Sequence, residues 1–211
     1  MWILYSLNNF IIDILFPKRC FLCKKENDTI CKNCLNNISL SVETPYNFIH
    51  SHFSYKDMNL KKIIHNAKYF HRKDLFPPLV EQTYPEINQL LETNKNYVLI
   101  PVPMPVFRKI LRGYNQAEII AKIYSTKLNI PYNTDILYRK KETVRQIRSV
   151  NRSSRLKNQK GSFDVRNFDK ICNKTIILID DVTTTGSTLN EARNVFIKNG
   201  IREVIAITLA H

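Results

Sequence analysis

A chain of 211 residues can bury one substantial core and a small appendage, which excludes two full domains. With 44% hydrophobic and 24% charged residues it has the composition of an ordinary globular protein. Its charge is less ordinary: 32 Lys and Arg against 18 Asp and Glu leave +14, which favours nucleic acid or an acidic membrane surface as partner, although a chain rich in Lys, Asn and Ile reaches the same excess without one.

Residues 1–16 carry apolar side chains at Ile3, Leu7, Phe10, Ile11 and Ile14, the stripe of an amphipathic helix. No basic residue leads it, Asn8, Asn9 and Asp13 interrupt it, and no small-residue cleavage site follows, so it does not read as a secretory signal. Too short and polar to span a bilayer, it suits a helix docked on the core, or one lying on a membrane surface. A cytoplasmic protein is expected, with peripheral attachment to the inner face of the cell membrane as the variant of that reading.

Cys20-x2-Cys23 and Cys31-x2-Cys34 follow. Two such knuckles suit tetrahedral thiolate coordination of Zn2+, each spanning one edge of the tetrahedron, and Lys18, Arg19, Lys24, Lys25 and Lys32 would offset the thiolate charge. Disulfides or redox pairs would use the same spacing, but a cytoplasmic setting argues against structural disulfides. Four protein ligands leave no open position, so the site reads as structural. Cys172 stands alone and is expected to be a small buried hydrophobe.

Apolar residues at 60, 63, 64 and 67 predict a helix over 59–70, and Pro77 and Pro78 open a second over 76–91. His65 and His71, isolated among lysines, read as solvated. Residues 97–103 predict a core strand halted by proline. Residues 107–116 then read as a basic, glycine-containing turn into a helix whose apolar positions are Ala117, Ile119, Ile120, Ile123 and Leu128. Arg108 and Arg112, with Asn115 and Gln116, are candidate ligands for phosphate oxygens there, although a basic surface loop would look alike.

A short strand is expected at 135–138. Arg145, Arg148, Arg152 and Arg155, beside Gln146, recur at spacings that share one face if helical, and such a row should face diphosphate or a nucleic-acid backbone. In a loop the spacing would mean little.

The run TIILIDDVTTTGST over 175–188 reads as a buried central strand delivering Asp180 and Asp181 to the carboxyl edge of a parallel sheet. Val182, Thr183, Thr184, Thr185, Gly186, Ser187 and Thr188 lead into a helix whose amide groups and positive end favour an anion. A loop and a helix cap would need fewer hydroxyls than surround Gly186 and fewer than two acids. The last strand, 203–209, follows an Asn199-Gly200 stop. Strands alternating with helices make an α/β protein with a parallel sheet.

Strand, acid pair and Thr-Gly-Ser-Thr together resemble the phosphoribosyl diphosphate (PRPP) signature of type I phosphoribosyltransferases. That resemblance implies a type I phosphoribosyltransferase-like parallel sheet flanked by helices, with Asp180 and Asp181 as catalytic acids on the ribose 2′- and 3′-hydroxyls. It places Thr184 to Thr188 around the 5′-phosphate, with Mg2+ accompanying PRPP. Thr184 stands where purine-salvage members often carry an acid, and a threonine is no general base near neutral pH.

Phe16-Pro17 after the first helix, the two knuckles, RGYNQ at 112–116, the segment from Thr143 and Gln146 to Gly161-Ser-Phe163, and the PRPP signature occur together in the ComF/ComFC competence family. The resemblance implies an N-terminal helix and zinc finger over 1–45 and a phosphoribosyltransferase-like domain over 46–211, its helical hood at roughly 46–95 and its core at 96–211. It further implies a role in natural transformation, on the cytoplasmic side, handling incoming single-stranded DNA beside the uptake helicase and channel. Arginines with interleaved Tyr55, Tyr69, Phe70, Phe107 and Tyr114 would suit single strands, most of those rings being expected in or near the core. An active transferase releasing diphosphate from Mg-PRPP is the other reading.

Overall fold

The computed structural model describes residues 17–140 and 161–211; the N-terminal stripe and the arginine row at 145–155 lie outside them. Its centre is β5 (Thr175–Val182), flanked by β2 (Tyr97–Pro101) and β6 (Val204–Ala210), with β1 (Ile49–Phe53) beyond β6. All three pairings are parallel, in register Leu99↔Ile177, Ile177↔Ile205 and Ile49↔Ala206. An eight-residue strand inside such a sheet must be apolar on both faces, which is why Ile176 to Ile179 are all buried.

Alternation along β5 divides the core in two. Ile177 and Ile179 pack with Leu60, Ile63 and Ile64 of α2 (Met58–Tyr69), Leu79 and Val80 of α3 (Phe76–Leu90), and Ile120 and Tyr124 of α5 (Gln116–Leu128). Ile176 and Leu178 point the other way, toward Leu189, Ala192 and Phe196 of α6 (Ser187–Lys198) and Phe163 of β4 (Phe163–Val165). β4 pairs antiparallel with β3 (Leu137–Arg139).

The stripe at 60, 63, 64 and 67 becomes α2 because Asp57 caps it, accepting from the Asn59 and Leu60 amides at 2.8 and 3.0 Å. The cysteine knuckles and α1 (Lys32–Asn36) join the same face of the sheet, since Ile30, Leu35 and Ile38 share a core with α2 and α3.

Two expectations are corrected. The supposed basic turn after β2 is a helix, α4 (Val106–Arg112), closed by Gly113 at φ 72°, where a left-handed residue ends the helix and its N–H reaches the Lys109 carbonyl at 2.8 Å. Cys172 is exposed, because it lies in the turn that leads into β5 instead of packing under the sheet. Among the described residues no helix is long and apolar enough to cross a membrane.

Candidate functional site

β5 runs out of the core at Asp180 and Asp181. The Asp181 amide donates to Asp180 Oδ1 and the Val182 amide to Asp181 Oδ1, each at 2.8 Å, so both carboxylates are held by the strand that delivers them. Burial, then the neighbouring Asp181 charge, push the Asp180 carboxyl up to about 7. Asp181 is 7% exposed and pairs with the Lys68 ammonium of α2 at 2.8 Å. Desolvation opposes the charge on Lys68, but Asp181 and then Asp180 outweigh it and raise its pKa.

Lys68 was not among the residues the sequence singled out. Its signal was weak but present: it falls at the i+8 position of the Leu60–Ile64 row, where the stripe calls for an apolar residue. A lysine there must either end the stripe or meet an acid from elsewhere in the fold.

Beyond Asp181, the Thr183 amide donates to the Ala210 carbonyl at 3.0 Å, fastening the loop to β6. Thr184 and Thr185 are exposed, and His211 Nε2 sits 2.9 Å from the Thr184 carbonyl, a contact that needs the ring proton on Nε2. Thr185 Oγ1 meets Ser187 Oγ at 3.0 Å. α6 starts after Gly186, which has no side chain to cap it, and the Ser187 amide donates to Thr185 Oγ1 at 3.4 Å, so the positive end of the helix faces this hydroxyl-lined loop.

Gly186 has φ 69°, and an added Cβ would lie 2.7 Å from Tyr46 Cδ2 and 2.9 Å from Pro45 Cγ. Gly186→Ala is therefore expected to lower Tm by several degrees, through roughly 1–2 kcal/mol of left-handed backbone cost plus the clash. Adding Tyr46→Ala should recover only the ring's share of the clash, leaving the Pro45 contact and the backbone cost, which differential scanning calorimetry of Gly186→Ala, Tyr46→Ala and the double variant can separate.

The RGYNQ segment resolves into distinct jobs. Gly113 ends α4, the buried Tyr114 hydroxyl donates to the Ala67 carbonyl, and Asn115 caps α5 through the Ala117 amide at 3.1 Å while donating to the Val102 carbonyl at 3.0 Å. Gln116 is buried and its Oε1 accepts from Arg112 at 3.3 Å. Arg112 also donates to the Tyr69 hydroxyl at 3.3 Å and lies 5.0 Å from that ring's centroid. Arg108 and Arg112 line a cavity of about 350 Å³ together with Lys68, which connects them to the acid pair. Tyr69, Phe70 and Phe107 are 57, 62 and 54% exposed, so the expectation that most of the singled-out aromatics pack in or near the core holds only for Tyr55 and Tyr114.

The four cysteine sulfurs of the knuckles lie within 4.8 Å of one another, and Cys23 and Cys31 are 3.6 Å apart. A tetrahedron with metal–sulfur bonds of about 2.3 Å has edges of about 3.8 Å, so the donor set fits zinc, whereas the separation is far beyond a disulfide bond. Burial opposes ionisation of Cys20, but amides from Cys23, Cys31 and Leu22 bring its thiol down to about 6. Burial and the neighbouring sulfurs push Cys34 up to about 12. A first thiolate forms readily here, and a full set needs a cation at its centre.

Residues 114–211 match the phosphoribosyl transferase domain family, a span that starts inside RGYNQ and takes in the acid pair and its loop. The chain is 38% identical to Competence protein F of Haemophilus influenzae over 107 residues, 50% of this chain and 46% of that protein. It is 31% identical to Competence protein ComFC of Bacillus subtilis over 110 residues, 51% of this chain and 41% of that protein. With DNA utilization protein YhgH of Escherichia coli (strain K12) it shares 24% identity over 148 residues, 69% of this chain and 64% of that protein. The matched segment thus spans about half the length of the first two relatives. These matches, with the four-cysteine cluster ahead of a phosphoribosyltransferase-type sheet, support placing the chain with the ComF/ComFC competence family.

Proposed function

We propose that this protein handles single-stranded DNA during natural transformation and binds PRPP, as ligand or regulator, at the carboxyl end of β5. The observation that carries the reading is the juxtaposition of the acid pair and its glycine loop with a cationic cavity, joined through Lys68. Asp180 and Asp181 would orient the ribose hydroxyls, Val182 to Thr188 would surround the 5′-phosphate, and Arg108 and Arg112 would face the diphosphate. Arg145, Gln146, Arg148, Arg152 and Arg155 would contact DNA. The names of the relatives and the +14 charge support a nucleic-acid partner.

Zn2+ would be held by Cys20, Cys23, Cys31 and Cys34 in a structural role. Two carboxylates without further protein donors suit a Mg2+ ion that arrives on PRPP, where it would neutralise diphosphate charge. The protein would work in the cytoplasm, at or near the inner membrane face, beside the uptake helicase and channel.

Titrating the zinc-loaded protein with circular single-stranded DNA at several salt concentrations tests this. Affinity should fall steeply with salt, log K against log salt having a slope of ~0.7 per phosphate contact, and weaken on replacing Arg145, Arg148 or Arg152. Binding that is absent or insensitive to salt overturns the reading.

A second reading, an active Mg-dependent phosphoribosyltransferase, is favoured by Asp180. A carboxyl raised to about 7 beside the ribose site is a proton acceptor near neutrality. It predicts diphosphate release from PRPP with a nucleobase or other acceptor, and no release with any acceptor removes it.

A further inference from the structure

We infer that the cavity between α2 and α4 is a nucleotide site, in which one base lies against Tyr69 and Phe107 and its phosphate is held by Arg108 and Arg112. The inference rests on the DNA-handling reading and names the subsite where that reading would act on a single nucleotide.

Four observations carry it. The first is the chemistry of the lining: Tyr69, Phe107 and Leu111 supply apolar and aromatic wall, Arg108 and Arg112 supply cations, Lys68 lines it while paired with Asp181, His71 completes it, and no carboxylate is among the lining residues. Diphosphate alone would call for the cations but has no use for the rings, whereas a nucleotide uses both.

The second is exposure. α4 has no buried residue, yet Val106, Phe107, Ile110 and Leu111 make up four of its seven positions and are 54–76% exposed. Among the described residues nothing packs over these side chains, so Phe107 and Leu111 are open to whatever fills the cavity.

The third is preorganisation of charge. Arg112 is fixed by Gln116 and by Tyr69, while among the described residues neither Arg108 nor Arg112 is paired with a carboxylate. By contrast Lys109, on the same helix, is committed to Glu118 at 3.0 Å. The fourth is size, because about 350 Å³ lies at the small end of ligand pockets and suits a mononucleotide unit better than a longer segment.

Lys68 both lines the cavity and pairs with Asp181, so a nucleotide there adjoins the ribose end of the PRPP site. Its phosphate and the diphosphate of PRPP then draw on the same two arginines, and the two ligands exclude one another. The ligand is either a free nucleotide or the phosphorylated end of a strand. The lining holds no carboxamide to read a base edge, so the four bases should bind alike.

The test is calorimetric titration of the full zinc-loaded chain with dTMP, thymidine and inorganic phosphate, and with 5′-phosphorylated and 5′-hydroxyl oligothymidylate. Phe107→Ala and Arg108→Gln, both at exposed positions, are compared with the parent after circular dichroism confirms their fold. dTMP should bind more tightly than thymidine or phosphate and weaken roughly tenfold or more in Phe107→Ala. A stronger grip on the 5′-phosphorylated oligomer than on the 5′-hydroxyl one identifies a strand end as the source; equal binding of the two with tight dTMP identifies the free nucleotide.

Mg-PRPP should displace dTMP while ribose 5-phosphate, which lacks the diphosphate, should not. dTMP binding no tighter than inorganic phosphate, or unchanged in Phe107→Ala, overturns the inference. So does ribose 5-phosphate competing as well as PRPP, since the nucleotide's phosphate would then occupy the loop before α6. Circular single-stranded DNA has no ends, so its salt-dependent binding judges the broader reading separately.

Discussion

Removing the metal from the cysteine cluster is expected to unfold the α2–α3 face of the protein and not merely the knuckles. Cys20 and Cys31 are buried, and Ile30, Leu35 and Ile38 between and behind them share a core with Leu60, Ile63, Leu79 and Ile177. The aromatic ring of Phe21 packs on that core and lies 5.8 Å from the Arg72 guanidinium, while Gln82 of α3 donates to Asn36 of α1 at 3.3 Å. A module so joined cannot loosen alone. Burial, and then the neighbouring sulfurs, push Cys34 up to about 12, so a full set of thiolates does not persist without a cation. Chelation at neutral pH, or Cys31→Ser, should therefore lower Tm by at least about 10 °C, given roughly 2–4 °C per kcal/mol in a chain of this size. Metal analysis should find one zinc per chain in the parent and little in Cys31→Ser. A stripped protein that melts at the parental temperature would remove the structural role.

What the sequence disclosed follows the range of the forces involved. β5 was legible because four consecutive apolar residues on a central strand satisfy both faces of the sheet locally, and the acid pair was legible because it adjoins that strand. α2 was legible from a stripe that needs only one buried face, and α3 from Pro77 and Pro78 in its first turn. β1 was not, since only Ile49 and Phe53 of its five residues are buried and His50, Ser51 and His52 look like loop. α4 was misread as a turn because its basic residues and the following Gly113 look like a loop, and none of its residues is buried to mark a core-facing stripe. Lys68 joins Asp181 across 113 positions of sequence, a contact that no local window contains. The cysteines, by contrast, carried their own geometry in their spacing.

The two neighbouring acids are expected to respond oppositely in stability and alike in ligand binding. Asp181→Asn leaves the Lys68 ammonium, with only 18% of its side chain exposed, without its partner. Removing one member of a largely buried pair costs about 2–4 kcal/mol, somewhat less than for a fully enclosed one. Asp180 stands the other way. Its carboxyl titrates at about 7 in the fold against 3.8 outside it, so the folded state holds a proton that the unfolded chain has already lost. Stability contributed by this group is present below 3.8 and is lost as pH rises to about 7, beyond which the cost stays constant. Asp180→Asn removes the charge but keeps an oxygen that can accept from the Asp181 amide, so the variant should match the parent near pH 4 and exceed it in Tm at pH 8. Taking the difference between variant and parent cancels the opposite pH trend of Asp57 and Asp164, whose carboxyls are lowered by hydrogen bonds and, at Asp164, by Lys140. Both variants should lose PRPP binding by calorimetry, because a neutral amide accepts ribose hydroxyls more weakly than a carboxylate. A stabilised Asp180→Asn that no longer binds PRPP identifies the acid as kept for its ligand at the expense of the fold. An Asp180→Asn variant that binds PRPP as the parent does would take the ribose contact away from this strand end.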